Sequence, residues 1–116
     1  MAQMKIITGE VTLPQLLRMA ADTFGNFVKA VVDVDRELLA LEAELHSDLE
    51  AALLEDGSKQ KNLWGINLYP EMQADAFIEF DSMINLRPSQ DNKSRGVEDP
   101  ETRKKIIAIV TGKIQR

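Results

Sequence analysis

His46 is the single histidine of a chain that holds 19 acidic residues and no cysteine, so acid–base chemistry here begins with it. If the residues around it are extended, Glu44, His46 and Asp48 project to one side. Carboxylates beside an imidazole favour its charged form and suit it to general acid or base work near neutrality. The same three groups could ligate a divalent metal, with water completing the shell. The second source of chemistry is Ala76 to Arg95, AFIEFDSMINLRPSQDNKSR. Its first half alternates like a strand. Ala76, Ile78, Phe80, Ser82, Ile84 and Leu86 fall on one face, and Phe77, Glu79, Asp81, Met83, Asn85 and Arg87 on the other. An acid–base site would combine His46, Glu79 and Asp81, with Arg87 balancing charge. The polar half that follows offers Arg87, Ser89, Asn92, Lys93 and Arg95 to a small anionic ligand. Arginine holds phosphate or carboxylate bidentately, and a helix starting at Pro100 would add its positive dipole end. The plainer alternatives are a hydrogen-bonding histidine at a helix start and a solvated loop.

Conventional catalytic sets are missing. There is no cysteine nucleophile, no Gly-x-Ser-x-Gly turn with a Ser-His-Asp set, no phosphate-binding glycine loop and no dinucleotide fingerprint. An enzyme on this chain would use carboxylates with histidine, or a metal, on a phosphorylated or nucleotide-like substrate. The net charge of −5 argues against nucleic-acid binding by overall charge. The charges are segregated, however. Nine acids stand against Arg36 between Asp33 and Asp56, and eight bases against four acids between Arg87 and Arg116. The basic third keeps RNA contact open as an alternative. Trp64 and Tyr69 fall on opposite faces of one strand and make a poor stacking platform, and Trp64 reads as core.

The elements that must position these groups follow from period and caps. At 116 residues the chain reads as one domain, 1–116, able to bury a core without disulfide or metal. No apolar run approaches the ~20 residues that span a bilayer, and no secretory signal opens the chain. With no cysteine, the reading is a cytoplasmic protein. Lys5-Ile6-Ile7, bounded by Thr8-Gly9, is a first strand. Thr12 caps a helix with Pro14 near its first position, and Gly25-Asn26 ends it. Val28, Ala30, Val32 and Val34 alternate as a strand over 27–34. Arg36 to Leu45 is helical by composition but alternates in Leu39, Leu41, Ala43 and Leu45. Ser47 and Glu50 form a capping box, which starts a helix at about Asp48. The reading is a hairpin of 27–34 with 38–45, then a helix over 48–56; one helix over 36–56 is the alternative. Leu63 to Tyr69 is a strand stopped by Pro70, and Asp99-Pro100 starts the last helix. The order is β-α-β-β-α-β-β-α. That is an α+β domain with a largely antiparallel sheet of about five strands and three helices on one face. The inner face would bury Val28, Val32, Leu39, Leu41, Ile66, Leu68, Ile78, Phe80 and Ile84. The second, semi-polar face (Val31, Phe77, Met83) would meet solvent or a second subunit.

Four blocks carry a resemblance across nearly the whole chain: Glu44-Leu-His-Ser-Asp-Leu-Glu50, Leu54-Glu-Asp-Gly-Ser-Lys-Gln60, Leu63-Trp-Gly-Ile-Asn-Leu-Tyr-Pro70, and Ile78-Glu-Phe-Asp-Ser-Met-Ile-Asn-Leu-Arg-Pro-Ser-Gln90. The chain resembles a family of small bacterial proteins known only as a domain of unknown function. The resemblance implies a stand-alone domain of this size and transfers no activity and no site residue. Similar proteins can carry glycines near Glu42-Ala43, which suits the hairpin better than a helix. The functional expectation is a small cytosolic binding or interaction protein, self-associating through its sheet.

Overall fold

In the computed structural model, which describes residues 5–7 and 9–115, ten helices and strands follow one another. They are β1 (Lys5–Ile7), β2 (Val11–Thr12), α1 (Leu13–Asp22), β3 (Val28–Asp33), β4 (Leu38–Leu41), α2 (His46–Glu55), β5 (Leu63–Leu68), β6 (Ile78–Glu79), α3 (Pro100–Lys113) and β7 (Ile114–Gln115). Thr8 and Arg116 lie outside the described residues. Four short 3₁₀ turns fill the connections between α2 and α3.

β3 and β5 form the centre of the sheet, antiparallel from Val28↔Leu68 to Asp33↔Leu63. The full order is β1-β4-β3-β5-β6, antiparallel throughout, and β2 and β7 form a separate parallel pair. The chain is thus α+β, with the expected five-stranded antiparallel sheet and three helices. One correction concerns the layers: the helices cover both faces. α1 and α3 pack on the face that carries Val28, Ala30, Val32, Trp64 and Ile66. α2 brings Leu49 and Leu53 onto Val31, Leu38, Ala40 and Leu63 of the other. The face expected to meet solvent or a second subunit is therefore largely filled from within: Val31 is buried under α2, Phe77 turns to the opposite face and is buried beside α1 and α3, and only Met83 of that trio stays exposed.

Local chemistry explains the boundaries. Thr12 and Gln15 form a reciprocal capping box with Pro14 at the helix start. Asp99 caps α3 through the Thr102 N–H. The β3–β4 turn is fixed by Asp33, whose Oδ1 accepts from the N–H groups of Asp35 and Arg36, both at 2.9 Å. Glu37 closes that turn at φ 55°, and Glu42 at φ 68° stops β4 after Leu41. Two left-handed residues rule out one helix over 36–56, and a position like Glu42 favours glycine. α2 opens at His46 with no side-chain cap, earlier than the Ser47 box suggests. A tertiary bond made by His46 overrides the local signal. The strand expected over 76–86 is cut to two residues, for a reason that belongs to the site.

Candidate binding surface around the edge strand

β6 meets β5 through Asn67↔Glu79 and Leu68↔Ile78 only. Beyond Glu79 the chain leaves the sheet plane and crosses over Gly65. A Cβ on Gly65 would lie 2.5 Å from the Ser82 Cβ and 3.2 Å from the His46 ring, so this position has no room for a side chain. The uncovered edge of β5 is then paired by side chains. Asn85 accepts from the Gly65 N–H (2.8 Å) and donates to the Gly65 carbonyl (3.0 Å), as a neighbouring peptide unit would. It also donates to the Arg95 carbonyl at 2.8 Å. Arg87 donates to the carbonyls of Gln60 and Leu63, the latter at 2.5 Å, and stacks on Trp64 with 4.0 Å to the ring centre. Asn92 donates to the carbonyls of Asn85 (2.7 Å) and Gly96 (2.8 Å) and accepts from the Glu98 N–H. Three side chains read as surface or ligand-binding residues are thus backbone partners.

His46 sits over the same strand. Its Nε2 lies 2.8 Å from the Ile66 carbonyl. A carbonyl only accepts, so in the neutral ring Nε2 carries the proton and Nδ1 keeps the lone pair. Burial holds the His46 pKa below its ordinary value, aided by Lys29 and Arg95 and opposed by the Ile66 bond and Asp81. This reverses the direction expected from flanking carboxylates, because burial outweighs them. Glu79 accepts from Asn67 Nδ2 (2.9 Å) and from the Tyr69 hydroxyl (3.0 Å). Burial, then the Glu79 bond and charge, raise the Tyr69 pKa. Asp81 pairs with Arg95 at 2.7 Å. Burial lowers the Arg87 pKa against the charge of Glu50.

The residues proposed from sequence therefore gather only in part. His46 and Asp81 lie within electrostatic reach of each other, and Glu79 is on the same side of the sheet through its register with Asn67. Arg87 does not join them, since its guanidinium is spent on two carbonyls and Trp64. The metal set is not assembled: Glu44 and Asp48 are exposed while His46 turns inward. Among the described residues no three His, Asp or Glu side chains come together to hold a metal ion. Of the anion loop, Arg87 and Asn92 point inward, Arg95 faces Asp81, and Ser89 and Lys93 are exposed.

Sequence reasoning missed the two hollows that flank β6. On the α3 side, a hollow of about 940 Å³ is lined by Phe77, Ile78, Phe80, Arg103, Ile107 and Thr111, with Gln73 and Asp75 at its rim. The every-fourth spacing of Arg103, Ile107 and Thr111 is its one trace in the sequence. The Arg103 guanidinium lies 4.6 Å from the Phe80 ring centre, and Ile107 is 44% exposed. On the α2 side, a smaller hollow of about 370 Å³ is lined by Tyr69, Met72, Asp75, Ala76, Ile78 and Glu79. Tyr69 is held at its mouth by a stack of rings, Phe24 on Phe27 at 4.7 Å and Phe27 on Tyr69 at 5.4 Å.

The class defined is a three-layer α+β domain with a recessed, largely apolar surface beside an edge strand. The chain belongs to the family described as a protein of unknown function (DUF5674), whose model matches residues 5–113. No curated protein and no solved structure matches it. Among the described residues no helix is long and apolar enough to cross a membrane.

Proposed function

We propose that this chain is a small cytosolic binding protein whose recognition surface is the hollow between β6 and α3. One observation carries the reading: a concavity of about 940 Å³ walled by Phe77, Ile78, Phe80 and Ile107, with Arg103 beside it. Mostly apolar walls with a few polar groups suit a binding site, and the volume is in the usual range. The acid–base candidates support binding over turnover. His46 is committed to Ile66, Glu79 to Asn67 and Tyr69, and Asp81 to Arg95. A general base has to reach a substrate proton: Glu79 and Asp81 already accept from the protein's own donors, and the His46 ring is buried. The absence of cysteine from the sequence fits a reducing compartment.

Titration with anilinonaphthalene sulfonate tests the hollow, because that probe joins an apolar ring system to an anion. The expected result is one saturable site on the folded protein, lost in Ile107→Glu and weakened in Arg103→Ala. Both positions are exposed, so neither change threatens the core. Binding that is absent, or unchanged in both variants, would refute the reading.

A further inference from the structure

We infer that the β6 edge takes up one extended segment of a partner protein as an added strand, with an apolar residue in the α3-side hollow and a basic residue next to it in the α2-side hollow. This rests on the reading of the α3-side hollow as a recognition surface.

The backbone supplies the first ground. The Tyr69 N–H donates to the Phe77 carbonyl at 2.9 Å, while the Phe77 N–H turns back to Ala74; this single bond sets the ladder phase at Tyr69 and Phe77. Antiparallel ladders alternate, so Glu79 also turns its backbone groups towards Asn67, while Ile78 turns its N–H and C=O outward. β6 is last in the sheet order, so those outward groups face an open edge.

The hollows supply the second. By register the smaller hollow takes Glu79 and Tyr69 from the Asn67 face, the larger one meets Arg103 and Ile107 of α3 on the other face, and the two share Asp75 and Ile78 in their walls. A strand added to an edge projects successive side chains to opposite faces. A peptide paired with Ile78 therefore meets one hollow with one residue and the other hollow with the next.

Charge fixes the residue types. The α3-side hollow is walled by Phe77, Ile78, Phe80 and Ile107 and takes an aliphatic or aromatic side chain. The α2-side hollow carries Asp75 and Glu79 and no lysine or arginine in its wall, so it takes a cation. The same charges argue against a second copy of this chain. Two β6 edges paired antiparallel would bring their Glu79 carboxylates together on one face. Length sets the scale: two residues of β6 lie between 3₁₀ turns at Ala74–Ala76 and Met83–Asn85. So short an edge accepts one segment and resists open-ended pairing.

The probe is a capped heptapeptide alternating lysine and valine, titrated by NMR with amide exchange read at Ile78. The expected result is 1:1 binding with Ile78 exchange slowed about tenfold or more at saturation. A peptide of the same composition with its valines in one block, and one with glutamate for lysine, should bind about tenfold more weakly. Glu79→Gln keeps an acceptor for Asn67 and Tyr69 but removes the charge, and should weaken the lysine peptide several-fold. Equal binding of all three peptides, or an Ile78 amide that does not change, overturns the inference. So does a concentration-dependent dimer that protects Ile78 without peptide. If anilinonaphthalene sulfonate still enters the hollow while the peptides fail, strand addition is wrong and the hollow stands. If the dye fails as well, both readings fall.

Discussion

Replacing Asn85 should unfasten the sheet edge, and the cost follows from its contacts. The side chain is fully buried and makes three hydrogen bonds to backbone, two on Gly65 and one on the Arg95 carbonyl. Asn85→Ala leaves one N–H and two carbonyls without those partners in a site that excludes water. Removing one partner of a buried pair costs about 1–3 kcal/mol, so the sum is about 3–5 kcal/mol after some relaxation. For a domain of this size that lowers the thermal midpoint by roughly 15 °C. Asn85→Asp is the sharper variant, because its shape is nearly unchanged. One oxygen still accepts from the Gly65 N–H, but the other faces two carbonyls and repels them when ionised. Its carboxyl pKa should therefore be raised by folding. The penalty is then full above the folded pKa and shrinks as pH falls towards the unfolded value of about 3.9. Urea unfolding of both variants beside the parent, at matched pH, reads this directly and cancels effects common to all three. A loss below about 1 kcal/mol for Asn85→Ala, or an Asn85→Asp protein as stable as the parent at pH 7, would show that the amide does not stand in for a strand.

Two further outcomes follow. His46 is kept neutral by burial, with a folded pKa below the ordinary 6.5. Below that unfolded value the unfolded chain binds more protons, so stability is full above pH 6.5, falls as pH drops towards the folded pKa, and levels off beneath it. The slope is at most about 1.4 kcal/mol per pH unit, and urea melts of His46→Gln should lack this component; an unchanged pH profile in that variant contradicts the assignment. Gly65→Ala places a Cβ 2.5 Å from the Ser82 Cβ, so it should cost about 2–3 kcal/mol of overpacking. Ser82→Gly should return part of that loss in the double mutant, and strict additivity in calorimetry would rule out the steric cause.

Much of the fold was legible because its signals are local. Thr12 with Gln15, and Asp99 with Pro100, announce helix starts through the bonds that they make to nearby N–H groups. The alternation of Val28, Ala30 and Val32, and of Trp64, Ile66 and Leu68, marks strands because these larger apolar residues share the face packed under α1 and α3. What was misread depends on distant partners. Ser47 signals a helix start, yet the helix opens at His46, whose ring reaches Ile66 twenty residues away. Parity along 76–86 put Glu79, Asp81 and Arg87 on one face. The passage of Ser82 over Gly65 and the turn at Met83–Asn85 reset that parity, sending Arg87 to the edge of β5. Asn85, Asn92 and Arg87 look like solvent-seeking residues until the backbone carbonyls that lack neighbours are counted.

The parallel pair of β2 and β7 has a consequence for the order of events in folding. Val11↔Ile114 and Thr12↔Gln115 join positions about a hundred residues apart. Closing a loop that long costs several kcal/mol of chain entropy, far more than a two-residue ladder returns. The pair therefore forms once the sheet and helices have already brought its strands together, and it opens first. Its opening leaves the β3–β5 ladder intact, so amides near Val11 and Ile114 exchange through fraying and those of Val31 and Ile66 only through global unfolding. The domain thus has a seam that reports on the approach of its two terminal segments without being what holds it folded.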